Sequence, residues 1–230
     1  MQRARGLIIT IDGLVGSGKT TTARLLASRL GYRHIDTGAM YRCLTLAAVR
    51  QDVAACNAAA LTDLLEKTHI ALEPENRGGR VLLDGEDVSA IIRRPEITRQ
   101  VGAYADVPLV RRVLVHKQQQ LGTEGGVVAE GRDAGTVVFP HADIKVLMTA
   151  TLEERARRRH RELIEKGVST SLEEVKADIR QRDQTDAARD YGAEHNPAET
   201  RMLDTTELTL EDQIDCIVSW AHEAERQPNR

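Results

Sequence analysis

The run Gly13-Leu14-Val15-Gly16-Ser17-Gly18-Lys19-Thr20 constrains this chain more than any other stretch. It fits G-x-x-x-x-G-K-[ST], the spacing of a phosphate-binding loop. Upstream, Leu7-Ile8-Ile9-Thr10-Ile11 is apolar and β-branched and reads as a buried strand. Downstream, Ala23, Leu26, Ala27 and Leu30 recur at i, i+3, i+4 and i+7, which predicts a helix over 20–30 with Gly31 at its C-cap. Strand, glycine loop and helix in that order turn backbone N–H groups and a helix N-terminus toward one phosphate. The competing reading is a glycine-rich turn that happens to precede a lysine. It does not explain why strand and helix are both in register. In the phosphate reading Lys19 reaches the β- and γ-phosphates and the Thr20 hydroxyl sits on Mg²⁺. The motif names no acceptor.

Length and composition set the outer bounds. A chain of 230 residues fits one α/β domain carrying insertions. Aromatic residues make up only 3%, so the core must be aliphatic and stacking platforms for nucleic acid are lacking. The net charge of −3 gives no global attraction to a polyanion, which also speaks against an ATP-driven nucleic-acid module. No apolar run approaches a membrane span, and the basic stretch 1–6 leads straight into the first strand, so neither a membrane partner nor a signal peptide is expected. Cys43, Cys56 and Cys216 are odd in number and lack metal spacing, which suits core thiols in a reducing, cytoplasmic compartment.

Further along, residues 32–35 read as a second strand ending at Asp36-Thr37-Gly38-Ala39-Met40-Tyr41-Arg42. Polar residues just past the carboxyl end of a strand lie on the ligand side of an open α/β sheet. Asp36 or Thr37 can cap the next helix, and Arg42 in its first turn opposes the helix dipole, which suggests a ligand. Residues 57–67 predict a helix. Residues 69–74 and 80–85, around a turn at Asn76-Arg77-Gly78-Gly79, predict a β-hairpin with no place in a parallel core, hence an inserted module. Residues 95–104 are weakly helical, and Pro108 opens a clear helix with Arg111 and Arg112 in its first turn. A third core strand, 127–130, runs into Gly131-Arg132-Asp133, and 144–149 is a fourth. A capping box at Thr151–Glu154 starts a helix holding Arg155, Arg158 and Arg159 on one face, followed by a glycine hinge at Gly167. A second capping box at Ser171–Glu174 starts a helix whose stripe Val175, Ile179 continues as Arg182, Asp186, Arg189. An apolar stripe that turns charged reads as a cleft wall, against the alternative of an intrahelical ion-pair ladder. Residues 202–205 are a fifth strand, and Thr209 caps the last helix.

Arg42, Arg111, Arg132, Arg182 and Arg189 all fall at ligand-side positions, more guanidinium than one triphosphate needs. Arginine suits bidentate phosphate recognition, so a second, phosphorylated substrate follows. A phosphate acceptor is already anionic and needs no general base; an alcohol acceptor would need one, for which Asp36 is the only candidate. A non-catalytic nucleotide switch remains the alternative class.

The glycine loop, the Asp36–Arg42 block, Gly85-Glu86-Asp87-Val88-Ser89 and Glu130-Gly131-Arg132-Asp133-Ala134-Gly135-Thr136-Val137-Val138-Phe139-Pro140 closely resemble bacterial cytidylate kinase, from the first strand to Asp204-Thr205. The resemblance implies a P-loop nucleoside monophosphate kinase fold. A five-stranded parallel sheet flanked by helices (about 1–36, 122–154 and 170–225) would carry a monophosphate-binding insertion with the hairpin (about 37–121) and a short arginine-rich lid (about 155–169), all one domain. It implies transfer of the γ-phosphate of ATP to CMP or dCMP with Mg²⁺, by a monomer, with UMP or another small phosphate acceptor as the alternative. Gly13, Leu14, Val15, Gly16, Ser17, Gly18, Lys19, Thr20 and Thr21 would hold ATP together with Arg155 and Arg159. Thr37 would face CMP; Arg42, Arg132 and Arg189 would hold its phosphate, Arg111 and Asp133 would read cytosine, and Arg182 and Asp186 would hold the ribose. Lys19, Arg132, Arg155 and Arg159 would be catalytic. Two departures stand out. Leu14 replaces a frequent proline, and Gly102 falls where some relatives place a serine against the base. Restoring that serine is expected to tighten CMP binding several-fold at most, since one net hydrogen bond is worth about 1 kcal/mol.

Overall fold

The computed structural model describes residues 6–74, 79–165, 167–189 and 194–226. Five strands form one parallel sheet in the order β2-β6-β1-β7-β8: β1 Ile8–Gly13, β2 Arg33–Asp36, β6 Val127–Gly131, β7 Ile144–Thr149 and β8 Thr200–Asp204. Consecutive residues of β1 are buried on both faces, as a central parallel strand requires. On one face Ile9, Ile11 and Val146 pack against α1 (Lys19–Leu30) and α8 (Leu210–Arg226). On the other, Ile8, Ile35 and Ala129 pack with Ala134, Val138 and Phe139.

The connection from β1 crosses to β2 on one side, and that from β6 crosses to β7 on the other. Neighbouring strands β1 and β6 therefore form the switch point, whose carboxyl ends open a crevice. The glycine loop leaves one lip and Gly131-Arg132-Asp133 leaves the other.

Between β2 and β6 lies a second layer. Helices α2 (Thr37–Arg50), α3 (Ala58–Lys67), α4 (Pro95–Ala105) and α5 (Pro108–Leu121) bury one aliphatic core that includes Leu44, Leu61, Ile92 and Leu114. The expected hairpin is present as β3 (Ile70–Leu72) and β4 (Val81–Leu83), but β5 (Glu86–Asp87) extends it to three strands. The expected turn residues 76–78 lie outside the described residues. Helices α6 (Leu152–Glu165) and α7 (Leu172–Ala187) pack on each other through Ala156, Val175 and Ile179, with Gly167 at φ 74° in the connection between them.

Local signals decided most helix ends. Asp36, not Thr37, caps α2 by accepting from Ala39 N at 2.8 Å. Ser171 and Glu174 close the full capping box of α7. The box expected at Thr151 is half made: Glu154 N donates to Thr151 Oγ1 at 3.3 Å, while Thr151 N donates to Thr206 Oγ1 at 3.1 Å instead. Arg42 falls in the second turn of α2 rather than the first. Cys43 is buried, but Cys56 is exposed and is not a core thiol.

Candidate active site

The glycine loop takes its shape from close approach. A Cβ at Gly13 would come within 2.3 Å of Met148 O on β7, so no larger residue fits the start of the loop. Gly18 is the N-cap of α1 at φ 94° and supplies no side-chain cap, so the orphan N–H groups of the first turn stay available to an anion. Lys19 Nζ donates to Leu14 O at 3.3 Å and bridges the loop. Its pKa is pulled down to about 7, first by desolvation, then by the Arg132 guanidinium, while Glu130 and Asp36 oppose the shift. Thr20 Oγ1 donates to Glu130 Oε2 at 2.8 Å. Thr21 is exposed on α1, and Leu14 is exposed at the loop tip. Ser17 is buried, and its carbonyl accepts from Thr205 Oγ1 at 3.0 Å and Arg158 Nη1 at 3.3 Å.

The second constellation gathers around Arg132. Its Nη1 donates to Gly13 O at 2.8 Å and its Nε to Asp186 Oδ2 at 2.9 Å. One side chain thus spans the crevice from the phosphate loop to α7. Arg189 Nη1 stands 3.7 Å from Asp186 Oδ1, and Arg111 Nη2 donates to Asp133 Oδ2 at 2.6 Å. The pKa of Arg182 is lowered to about 10 by burial and then by the positive charges of Arg132 and Arg42, with Asp186 opposing. Burial also lowers the pKa of Arg42, which Asp36 offsets. Cations this close repel one another, and a bound anion would relieve that repulsion.

The structure therefore brings Lys19, Arg42, Arg132, Arg182 and Asp186 into one field, with Arg111, Asp133 and Arg189 on its border. Two expected residues are placed differently. The Thr37 hydroxyl donates to Glu130 O at 2.6 Å, so its proton is spent on joining β2 to β6. Arg155 is expected on a lid that closes, yet it is buried and tied down. It donates to Val15 O at 3.2 Å, to Ala150 O at 3.1 Å, and to both carboxylate oxygens of Asp183 at 3.0 and 2.7 Å. This arginine already belongs to the wall of the phosphate loop. Arg159, partly exposed and bonded to Glu162 at 2.7 Å, keeps the freedom a lid residue needs.

Sequence reasoning passed over several residues. Asp12 is fully buried beside Gly13 and accepts from Ala134 N and Gly135 N at 2.8 Å each, which fixes the π-helical turn Ala134–Val138 behind Arg132. Burial raises its pKa, and those two N–H groups pull it back. A carboxylate in an otherwise apolar strand was the available signal. Arg158 shared the arginine face, but its partner Thr205 lies 47 residues away. Glu130, the acidic residue near the end of the third core strand, carries no role in the sequence reading. Its Oε1 is buried with no hydrogen-bond partner among the described residues, and His34 Nε2 lies 3.5 Å away.

The low pKa of Lys19 has a measurable consequence. A triphosphate favours the ammonium form, so binding must raise the pKa and take up a proton at pH above about 7. The uptake should grow as the pH rises above about 7, because Lys19 is then increasingly neutral in the free protein. Titration calorimetry in buffers of different ionisation enthalpy reads it directly, and Lys19→Met should abolish it.

Comparison with known proteins decides the family. The cytidylate kinase family matches this chain over residues 9–223, nearly its whole length. The chain belongs to the cytidylate kinase family. It is 43% identical over 215 residues to the cytidylate kinase of Geobacillus sp. (strain WCH70), covering 94% of this chain and 96% of that one. It is 45% identical over 222 residues to that of Geobacter sulfurreducens, covering 96% and 95%. With that of Shouchella clausii it shares 40% over 224 residues, covering 97% and 100%. Among solved structures, an uncharacterized protein from Eubacterium ventriosum ATCC 27560 superposes with a TM-score of 0.52 at 10% identity over 94% of this chain and 98% of that one, which shows the fold alone.

Proposed function

We infer that this chain transfers the γ-phosphate of ATP to CMP or dCMP, giving ADP and CDP or dCDP. The observation that carries the reading is Arg132, bonded to the carbonyl of Gly13 on the donor loop and to Asp186 on the acceptor side. Donor and acceptor anions would meet across that one guanidinium.

In this reading the loop N–H groups and Lys19 hold the donor phosphates, and Arg155 and Arg159 add positive charge beside them. Arg42, Arg132 and Arg189 hold the acceptor phosphate, Arg111 with Asp133 reads the base, and Arg182 with Asp186 holds the sugar. The acceptor oxygen is already anionic, so no general base is required; positioning and charge neutralisation do the work. Mg²⁺ suits the Thr20 hydroxyl and the Glu130 carboxylate, whose buried Oε1 has capacity to spare. The ion would neutralise charge on the transferring group. We place the protein in the cytoplasm as a monomer; among the described residues no helix is long and apolar enough to cross a membrane.

A coupled assay of ADP release, with no partner protein and a panel of CMP, dCMP, UMP and AMP, tests the reading. CMP and dCMP should give the highest kcat/KM. Faster turnover of UMP or AMP would reassign the acceptor, and release that ignores the acceptor would leave only an ATPase.

A further inference from the structure

Gly102 lies in the last turn of α4 and Asp106 is its C-cap, four residues on, and both meet Arg189 from beyond the end of α7. A Cβ built on Gly102 would fall 1.9 Å from Arg189 Nη2 and 3.2 Å from its Cζ. The guanidinium therefore points its Nη2 end at the glycine, into the space a side chain would occupy. Gly102 does not adopt a positive φ, so its backbone imposes no need for glycine; the need comes from the arginine. Asp106 Oδ1 stands 3.2 Å from Arg189 Nε, and Asp186 Oδ1 stands 3.7 Å from Nη1. Two carboxylates on different helices thus face two different nitrogens of one guanidinium.

We propose that Gly102 and Asp106 form a seat that positions Arg189 for the acceptor phosphate, with Asp106 a positioning residue rather than a catalytic one. The inference rests on the reading of Arg189 as an acceptor-phosphate ligand. The Asp106 carboxylate faces the inner nitrogen as an ion pair, which restricts the swing of the side chain before the acceptor arrives. The glycine leaves room for the Nη2 end of the guanidinium to reach the helix backbone. On this proposal a side chain at 102 would push the Nη2 end of Arg189 aside, so Gly102→Ser would not tighten CMP binding.

The test uses the full chain with Gly102→Ala, Gly102→Ser and Asp106→Asn, each alone and combined with Arg189→Ala. Alanine in place of a helical glycine favours the helix, so Gly102→Ala should fold with an undiminished Tm. Gly102→Ala and Asp106→Asn should each raise KM for CMP about fivefold to twentyfold through misplacement of the arginine, with KM for ATP within about twofold. In the Arg189→Ala background neither change should have a further effect, because the seat would then be empty. An increase that persists without Arg189 marks a merely structural role and overturns the proposal. So does a Gly102→Ala or Asp106→Asn enzyme with unchanged KM for CMP while Arg189→Ala is impaired. If Arg189→Ala itself leaves KM for CMP unchanged, the assignment of Arg189 falls and the seat falls with it.

Discussion

Replacing Lys19 with alanine is expected to lower kcat by about a thousandfold or more and to leave the fold intact. The two halves of that expectation have separate causes. In the proposed reading catalysis suffers because Lys19 supplies the loop's positive charge, in a site where desolvation would strengthen its action on charge that develops during transfer. Folding does not suffer because the ammonium is already disfavoured in the free protein, and its hydrogen bond is to Leu14 O within the same loop. The Tm of Lys19→Ala should equal or exceed that of the unaltered protein. A folded Lys19→Ala enzyme with near-normal kcat would remove this loop from the transfer step.

Arg132→Ala should be nearly as damaging, in a different parameter. We expect kcat/KM for CMP to fall about a thousandfold, while the Kd for ATP changes by less than about threefold. In the proposed reading the substitution removes a ligand of the acceptor phosphate, and it leaves Asp186 without one of its partners. It also removes the second-largest influence that lowers the pKa of Lys19. Lys19 should then be more fully charged before ATP arrives, and proton uptake at pH 8 should shrink. Calorimetry with each nucleotide separates the two effects. Collapse of ATP affinity with CMP affinity intact would mean that the two anion sites have been exchanged.

The parallel core, the phosphate loop and the capped helices were legible in the sequence because their signals are local. Glycines at fixed spacing, aliphatic periodicity and a capping Ser–Glu pair each depend on a few consecutive residues. What escaped depends on partners remote along the chain. The π-helical turn at Ala134–Val138 hangs on Asp12, 122 and 123 residues away from the N–H groups it accepts. Strand β5 is only Glu86–Asp87, both exposed, so it carries no apolar alternation. The stripe on α7 continues from Val175 and Ile179 to Arg182 and the buried Asp186, but the helix stops at Ala187 and Arg189 reaches toward Asp106 at the end of α4. Arg155 looked like a lid residue until Asp183, on the next helix, was seen to hold it against Val15. Nothing local to Gly102 shows that an arginine from 87 residues on approaches it.

Following the label from γ-³²P ATP in the purified chain with CMP and Mg²⁺ tests the central claim most directly. The account predicts label recovered in the β-phosphate of CDP, about one per ADP formed, with little inorganic phosphate. Label appearing chiefly as inorganic phosphate, or no transfer to CMP from a folded protein that binds both nucleotides, would contradict it.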